Sequence, residues 1–228
     1  MADCEAAWNV CMRFVIRVPT HRPYIESSAT LKLVKAAKRV FVRSGGSAFS
    51  IRNVAKEAKM SVGAVQHYYP SRDKLLAAML EYIVNDYDAG YEGAFKNLPT
   101  TGEARLMAVI DFLTRDLSNQ QTRQLFFSLW ALSSHNKFAS ACVDEAYLHH
   151  RRNLASFISA VRPTFSPGQC FLAATALAAT LEGLMIFTGP RMKHALDQAS
   201  VTAIVRTAVI RLLSDSFPEI AQAPSGEG

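Results

Sequence analysis

Cysteine is scarce and scattered in this chain: Cys4, Cys11, Cys142 and Cys170 make no Cys-x-x-Cys pair and sit at no zinc-finger spacing from a histidine. That pattern argues against a disulfide framework or a zinc site and fits free thiols in a reducing compartment, with a redox sensor as the alternative. Long apolar runs are missing too. The nearest approach to the ~20 residues a membrane span needs is Phe171 to Phe187, interrupted by Glu182 and rich in small residues, so it reads as a buried helix. Arg13, Arg17 and His21 break the apolar stretches of the N-terminus, which excludes a signal peptide and leads to the expectation of a cytoplasmic protein. There is no G-x-S-x-G, no glycine-rich phosphate loop and no His/Glu metal pattern. The expectation is therefore a non-enzyme with no cofactor and no metal.

What is present is apolar mass and an uneven charge. Half of the 228 residues are hydrophobic, enough for a substantial core in one or two domains. Residues 1–70 hold 11 Lys and Arg against 4 Asp and Glu, a net charge of +7, whereas residues 71–228 carry a net charge of −1. A basic excess confined to one end fits polyanion binding there and another task at the other end.

The stretch from Ser50 to Lys74 is the most informative. Ser50 can cap a short helix whose Val54, Ala55 and Ala58 share a face. Lys59-Met60 leaves room only for a tight turn, and Ser61 can cap a second helix. On that helix Val65 and Tyr69 form an apolar side, while Gly63, Ala64, Gln66 and His67 lie within about half a turn. The polar side holds no acidic residue. A helix entering a DNA major groove needs those properties: it must be thin, must not repel phosphate, and must bond base edges.

These residues carry a resemblance. Ser-Ile-Arg-Asn-Val-Ala-Lys-Glu-Ala, followed by Met-Ser-Val-Gly-Ala-Val-Gln-His-Tyr-Tyr-Pro-Ser-Arg-Asp-Lys-Leu-Leu, is similar to the helix-turn-helix of the tetracycline-repressor (TetR) family over residues 27–87, with the motif itself at 50–69. One position departs: Lys59 stands where the family usually has glycine, and a non-glycine residue at positive φ costs on the order of 1 kcal/mol. Reduced stability there is expected, with an unchanged fold. Gln66 is the best candidate to read adenine, and Arg52 guanine. Val62, Gly63 and Ala64 allow close approach and contact with thymine methyls. Ser50, His67, Tyr68, Arg72 and Lys74 would hold the DNA backbone, and Ser61 is a further DNA-binding candidate. Arg72 stands where the resemblance puts a phosphate-contacting lysine. It and Lys74 fall in the first turn of a helix, where cations oppose the dipole unless an anion is nearby.

Along the chain, residues 1–26 read as an irregular arm, either disordered or placing Arg13, Arg17 and Arg22 in a minor groove. A helix from Ser28 to Arg43, with Leu31, Val34, Ala37 and Phe41 as its stripe, ends at Ser44-Gly45-Gly46. A long helix from Ser71 toward Phe95 would join head and body. Further helices are expected over Glu103–Leu117, Gln121–Ser133, Lys137–Val161, Pro167–Phe187 and Asp197–Ser216, before a disordered tail at 219–228. The outcome is an all-α fold of about nine helices, the number the resemblance implies, with residues 88–218 as an effector-binding and dimerisation domain.

Two features of that region bear on function. Helix 167–187 is apolar on two adjacent stripes, too wide for one neighbour, and helix 197–216 is apolar at several positions. Ala174, Ala178, Leu181, Ile204, Val205, Ala208 and Leu212 are the candidate dimer residues, because the resemblance places the dimer on these two helices. A purely intrachain core is the alternative. Met107, Phe112, Phe126, Phe127, Trp130, Phe157, Glu182 and Met185 (with Phe187 beside them) are the candidate effector-pocket residues, each also explicable as plain core. Glu182 is an acid within an apolar helix, and burying it unpaired is costly. It calls for a cationic ligand, Arg151 or Arg152, or the dimer mate. His149-His150-Arg151-Arg152 reads as a solvated helix face. Phe126-Phe127-Ser-Leu-Trp130 and Leu181-Glu182-Gly183-Leu184 resemble the choline-responsive BetI branch of the family. The resulting expectation is a homodimeric repressor released from palindromic double-stranded operator DNA by a small-molecule effector. The alternative is a helical small-molecule-binding protein that acts without DNA.

Overall fold

The computed structural model describes residues 28–96, 98, 101–188 and 196–214. Among these residues the chain forms nine helices and no strand: α1 Ser28–Ala48, α2 Ile51–Ala58, α3 Val62–Tyr68, α4 Arg72–Phe95, α5 Gly102–Leu117, α6 Gln120–Ser133, α7 Lys137–Val161, α8 Pro167–Phe187 and α9 Gln198–Leu212. The arm at 1–26, the tail at 219–228 and the helix end expected at Ser216 lie outside the described residues.

Capping residues set most helix starts. Ser50, Ser61, Ser71, Thr101, Asn119, Asn136 and Asp197 each accept a backbone N–H of the following turn. Ser166 and Gln169 close a reciprocal capping box around Pro167 at the start of α8. The stop of α1 is more complex than a fraying end. Gly45 leaves helical geometry at φ 71°, a conformation that glycine adopts without steric cost. Gly46 then lies against α6, where a Cβ would come within 3.1 Å of the Cβ of Leu132. The glycine pair, where the sequence implies an end, therefore kinks α1 before its end at Ala48 and lets α1 approach α6.

Two apolar clusters form the interior. The first joins α1, α2, α3 and the start of α4 to Leu125 and Leu129 of α6 and to Ala139 and Val143 of α7. The second joins Tyr91 of α4 to α5, the C-terminal half of α7, α8 and α9. Helix α4 spans about 36 Å at ~1.5 Å per residue, and Tyr87, partly buried, touches both clusters. Helix α8 is long and apolar enough, by length and composition, to cross a membrane. Seven of its residues, from Cys170 to Met185, are buried against the chain's own helices. Cys142 and Cys170 are free thiols, and burial pushes both pKa values up.

Candidate nucleic-acid interface and effector cavity

The head presents α3 outward on an apolar anchor. Val65 and Tyr69 are buried, while Val62, Gly63, Gln66 and His67 are exposed and Ala64 and Tyr68 half-buried. A Cβ on Gly63 would meet nothing within 4 Å, so the start of α3 is open to close approach. The His67 and Tyr68 rings meet edge to face, 5.3 Å between centroids. The turn before α3 closes on Lys59 in the left-handed region, φ 53° and ψ 49°. Its N–H donates to Lys56 O and that of Met60 to Ala55 O, a Schellman arrangement built without glycine. Lys59 thus adopts the positive φ that the sequence implied.

Part of the basic excess is already paired. Glu57 accepts from Arg39 at 2.7 Å and from Arg43 at 3.0 Å, and these bonds hold its pKa below the usual carboxylate range. Lys38 pairs with Asp86 of α4 at 3.2 Å. Lys32, Lys35, Arg52, Lys56, Lys59 and Lys74 remain exposed. Arg72 is engaged differently from these. Its Nε donates to Phe49 O at 2.9 Å and its Nη2 to Gly46 O at 3.0 Å. The cation at the head of α4 therefore has an acceptor within the protein, namely the loop that leads into α2.

A second feature is a cavity of about 90 Å³ between α4, α5, α6, α7 and α8. A single water needs roughly 10–15 Å³ by this kind of measure, so the space suits a ligand of a handful of heavy atoms. Its walls are aromatic and apolar, with Tyr87, Tyr91, Phe126 and Tyr147 among Leu and Val side chains. Trp130 Nε1 donates to Tyr147 Oη at 2.6 Å behind that wall. Glu182 faces the same space: burial pushes its pKa up to about 7, against the hydrogen bond from Tyr147 and the charge of Arg151. Arg151 itself stacks on Phe171 and donates to Tyr147 O.

Of the residues expected to line a pocket, Phe126 and Glu182 do so, and Trp130 stands behind Tyr147. Phe157 packs on Tyr91 and Phe95, Phe112 on Tyr87 and Tyr91, and Met107 is half-buried in the second core. Met185 borders a separate small void with Leu181 and Val201. Phe127 and Phe187 are exposed. The reading of His149-His150 as a solvated face is overturned. His149 Nε2 contacts the Asp88 carboxylate at 2.9 Å, and Tyr91 Oη meets His150 Nδ1 at 3.1 Å. Burial holds the pKa of His150 down at about 4, so it is a neutral acceptor for Tyr91. Asn153 Nδ2 completes the group by donating to Asp88 at 2.8 Å. Adjacent positions on a helix diverge by ~100°, but α7 is covered on both sides here, so both rings find polar partners. Among the described residues no group of three or more His, Cys, Asp or Glu side chains is placed to hold a metal.

The candidate dimer residues divide. Ala174, Ala178, Leu181 and Val205 are buried within the chain and unavailable to a partner. Ile204 is exposed and Ala208 and Leu212 are half-buried. The sequence reading assigned none of the most exposed apolar side chains here to the dimer: Ile186 at 52%, Phe187 at 57% and Ile210 at 65%.

An exposed α3 on a basic helix-turn-helix head, carried by an all-helical body, defines a DNA-binding transcriptional regulator. Family models support that class and refine it. The model described as bacterial regulatory proteins, tetR family, matches residues 33–79, and that of the BetI-type transcriptional repressor C-terminal region matches residues 102–214. The chain belongs to the TetR family of transcriptional regulators, which are not enzymes, and its C-terminal part is of the BetI type. It is 28% identical to the BetI regulator of Vibrio parahaemolyticus, over 68% of this chain and 77% of that one. It is 25% identical to BetI of Burkholderia thailandensis, over 68% and 78%. Among solved structures, a Pseudomonas aeruginosa PAO1 transcriptional regulator superposes with a TM-score of 0.71 at 21% identity, covering 89% of this chain and 97% of that one. A Saccharomonospora viridis protein described as a transcriptional regulator, solved in complex with choline, superposes with a TM-score of 0.65 at 18% identity, covering 81% and 97%.

Proposed function

We propose that the protein is a cytoplasmic, homodimeric repressor that leaves a palindromic operator when a small organic cation enters the cavity between α4 and α8. The observation that carries this reading is the pairing of an exposed, acid-free α3 with a cavity whose lining holds Glu182 and Asp88 but no Lys or Arg. Within the head, residues 27–87, Gln66 and Arg52 read base edges, and Val62, Gly63 and Ala64 approach thymine methyls. Ser50, Ser61, His67, Tyr68 and Lys74 bind phosphate, with the outward edge of Arg72 beside them. Within the body, residues 88–218, exposed Ile186, Ile204 and Ile210 together with Ala208 and Leu212 meet the second copy on α8 and α9. Two-fold symmetry then sets the two α3 helices about 34–36 Å apart.

A cation suits the cavity because aromatic faces attract it and a carboxylate completes its charge. The Saccharomonospora viridis neighbour holds choline and the relatives are of the BetI type, so choline is the first ligand to try. A ligand that fits only one arrangement of α4 shifts the population away from operator spacing. The test is fluorescence anisotropy with DNA from upstream of the protein's own gene, with and without choline. Specific binding that choline weakens supports the proposal. Absence of any DNA binding leaves the helical small-molecule-binding alternative in its place.

A further inference from the structure

We propose that the cavity takes up its organic cation in exchange for a proton on Glu182, so that effector binding releases one proton to solvent. This rests on the reading of the cavity as a cation site and adds how that site is regulated. The carboxyl group lies on the cavity wall among apolar and aromatic side chains, with no Lys or Arg among the lining. The groups facing it are few. From α7 come the Tyr147 hydroxyl, the Arg151 guanidinium and, also in the cavity lining, the neutral His150 and Asp88-bound His149. From α4 come Tyr87, Tyr91 and Asp88, the last already held by His149 and Asn153. The α5 and α6 walls, Leu113, Leu117, Phe126 and Leu129, carry no charge.

Tyr147 fixes the direction of the arrangement. Its oxygen accepts from Trp130 Nε1 at 2.6 Å, so its own proton is free to point at Glu182. One donor and the charge of Arg151 do not offset the burial, which pushes the carboxyl pKa up to about 7. Near neutral pH the empty site therefore holds much of its Glu182 as the acid. A cation in the cavity supplies the missing charge partner. The O–H bond of the carboxylic acid breaks, the proton goes to buffer, and the carboxylate stays as the counter-ion. Net charge in the cavity is conserved, which avoids leaving either charge buried alone.

Choline affinity would then depend on pH through one group, falling roughly 30-fold from pH 8 to pH 5.5 by proton linkage. Calorimetric titration of the full-length protein with choline chloride at pH 6, in phosphate and in a buffer of high ionisation enthalpy, should show close to one proton released per choline. Glu182→Gln should bind choline more weakly, with no proton release and no pH dependence. Tyr147→Phe removes the donor that favours the carboxylate, so its affinity profile should shift to higher pH. Choline binding with a flat profile from pH 5.5 to 8, or equal proton release by Glu182→Gln, overturns the exchange and leaves the cation reading standing. Equal affinity for choline and its neutral isostere 3,3-dimethylbutanol, or no binding of choline and tetramethylammonium, overturns both. Should Glu182→Gln fail to fold, the wild-type and Tyr147→Phe profiles decide alone.

Discussion

Arg72 holds Phe49 through both backbone and ring: its Nε donates to the Phe49 carbonyl at 2.9 Å while the guanidinium lies 5.7 Å from the ring centroid. With the further bond to Gly46 O, this fixes the loop from α1 into α2 against the start of α4. Hydrogen bonds from a charged donor contribute roughly 1.5–3 kcal/mol each, and the site is one-third exposed, so Arg72→Ala should cost on the order of 2 kcal/mol. That corresponds to a Tm loss of about 4–8 °C in a chain of this length. Arg72→Lys should lose most of it too, because an ammonium cannot reproduce the planar fork. A melting curve unchanged in Arg72→Ala would show that the side chain serves phosphate alone.

Gln66 and Lys74 separate base reading from backbone holding, since both are exposed and neither is needed by the core. Gln66→Ala should relax preference at one base pair by about 1–3 kcal/mol and leave binding to random DNA unchanged. Lys74→Ala should weaken all sequences alike and lower the salt slope by about one. Anisotropy titrations on specific and random duplexes at several salt concentrations measure both. Equal losses on both duplexes for Gln66→Ala would remove it from the readers.

The helix-turn-helix was legible because its signals are local: caps at Ser50, Ser61 and Ser71, an apolar face on Val65 and Tyr69, and a turn too short for anything else. Helices α7 and α8 were legible to the residue for a similar reason, with clear starts and long periodic cores. Partners across the chain were not legible. Nothing near Arg72 in sequence reveals that its acceptors are 23 and 26 residues upstream. Nothing near His149 reveals Asp88, 61 residues away, and the two histidines were therefore left in solvent. The inner and outer stripes of α8 are both apolar, so periodicity could not choose which one a partner covers. Only its packing on α5, α7 and α9 shows that Ala174, Ala178 and Leu181 face inward.

Lys59 should be improvable. It sits at φ 53°, where a side chain costs on the order of 1 kcal/mol relative to glycine. The side chain is exposed and both cap hydrogen bonds come from backbone N–H groups, which glycine keeps. Lys59→Gly should raise stability by about 0.5–1 kcal/mol, read as a small rise in Tm. Lys59→Val should lower it, because a β-branched residue fits this conformation worst. A fall in Tm for Lys59→Gly would mean that the lysine side chain contributes contacts beyond the turn.

Exposed and buried apolar residues on α9 should respond differently to substitution. Ile204 is 44% exposed and its neighbour Val205 fully buried. Ile204→Asp should convert a dimer to a folded monomer, visible by light scattering with an unchanged helical spectrum. Val205→Ala should leave the dimer intact and lower stability by about 1–2 kcal/mol through the lost methyl groups. An Ile204→Asp protein that remains dimeric would place the interface away from this face of α9.

Acid sensitivity should increase when Glu182 is neutralised. His150 has a folded pKa of about 4 against an ordinary value of 6.5, with burial the first cause. Between those values the unfolded chain binds the extra proton, so this group's contribution is complete above pH 6.5 and is lost as pH falls toward 4. Glu182 acts in the opposite sense. Its folded pKa of about 7 lies above the ordinary 4.5, so the folded chain binds the extra proton between those values and its contribution grows as pH falls. From pH 6.5 to 4.5 the two nearly cancel. Glu182→Gln removes the compensating group, and its stability should decline relative to wild type by on the order of 2 kcal/mol across that window. Urea titrations of both proteins from pH 4.5 to 6.5 measure the difference directly, and other carboxylates common to both chains drop out of it. Parallel curves would mean that the proton on Glu182 is bound no more tightly in the fold than in the unfolded chain, leaving His150 unopposed in the wild type.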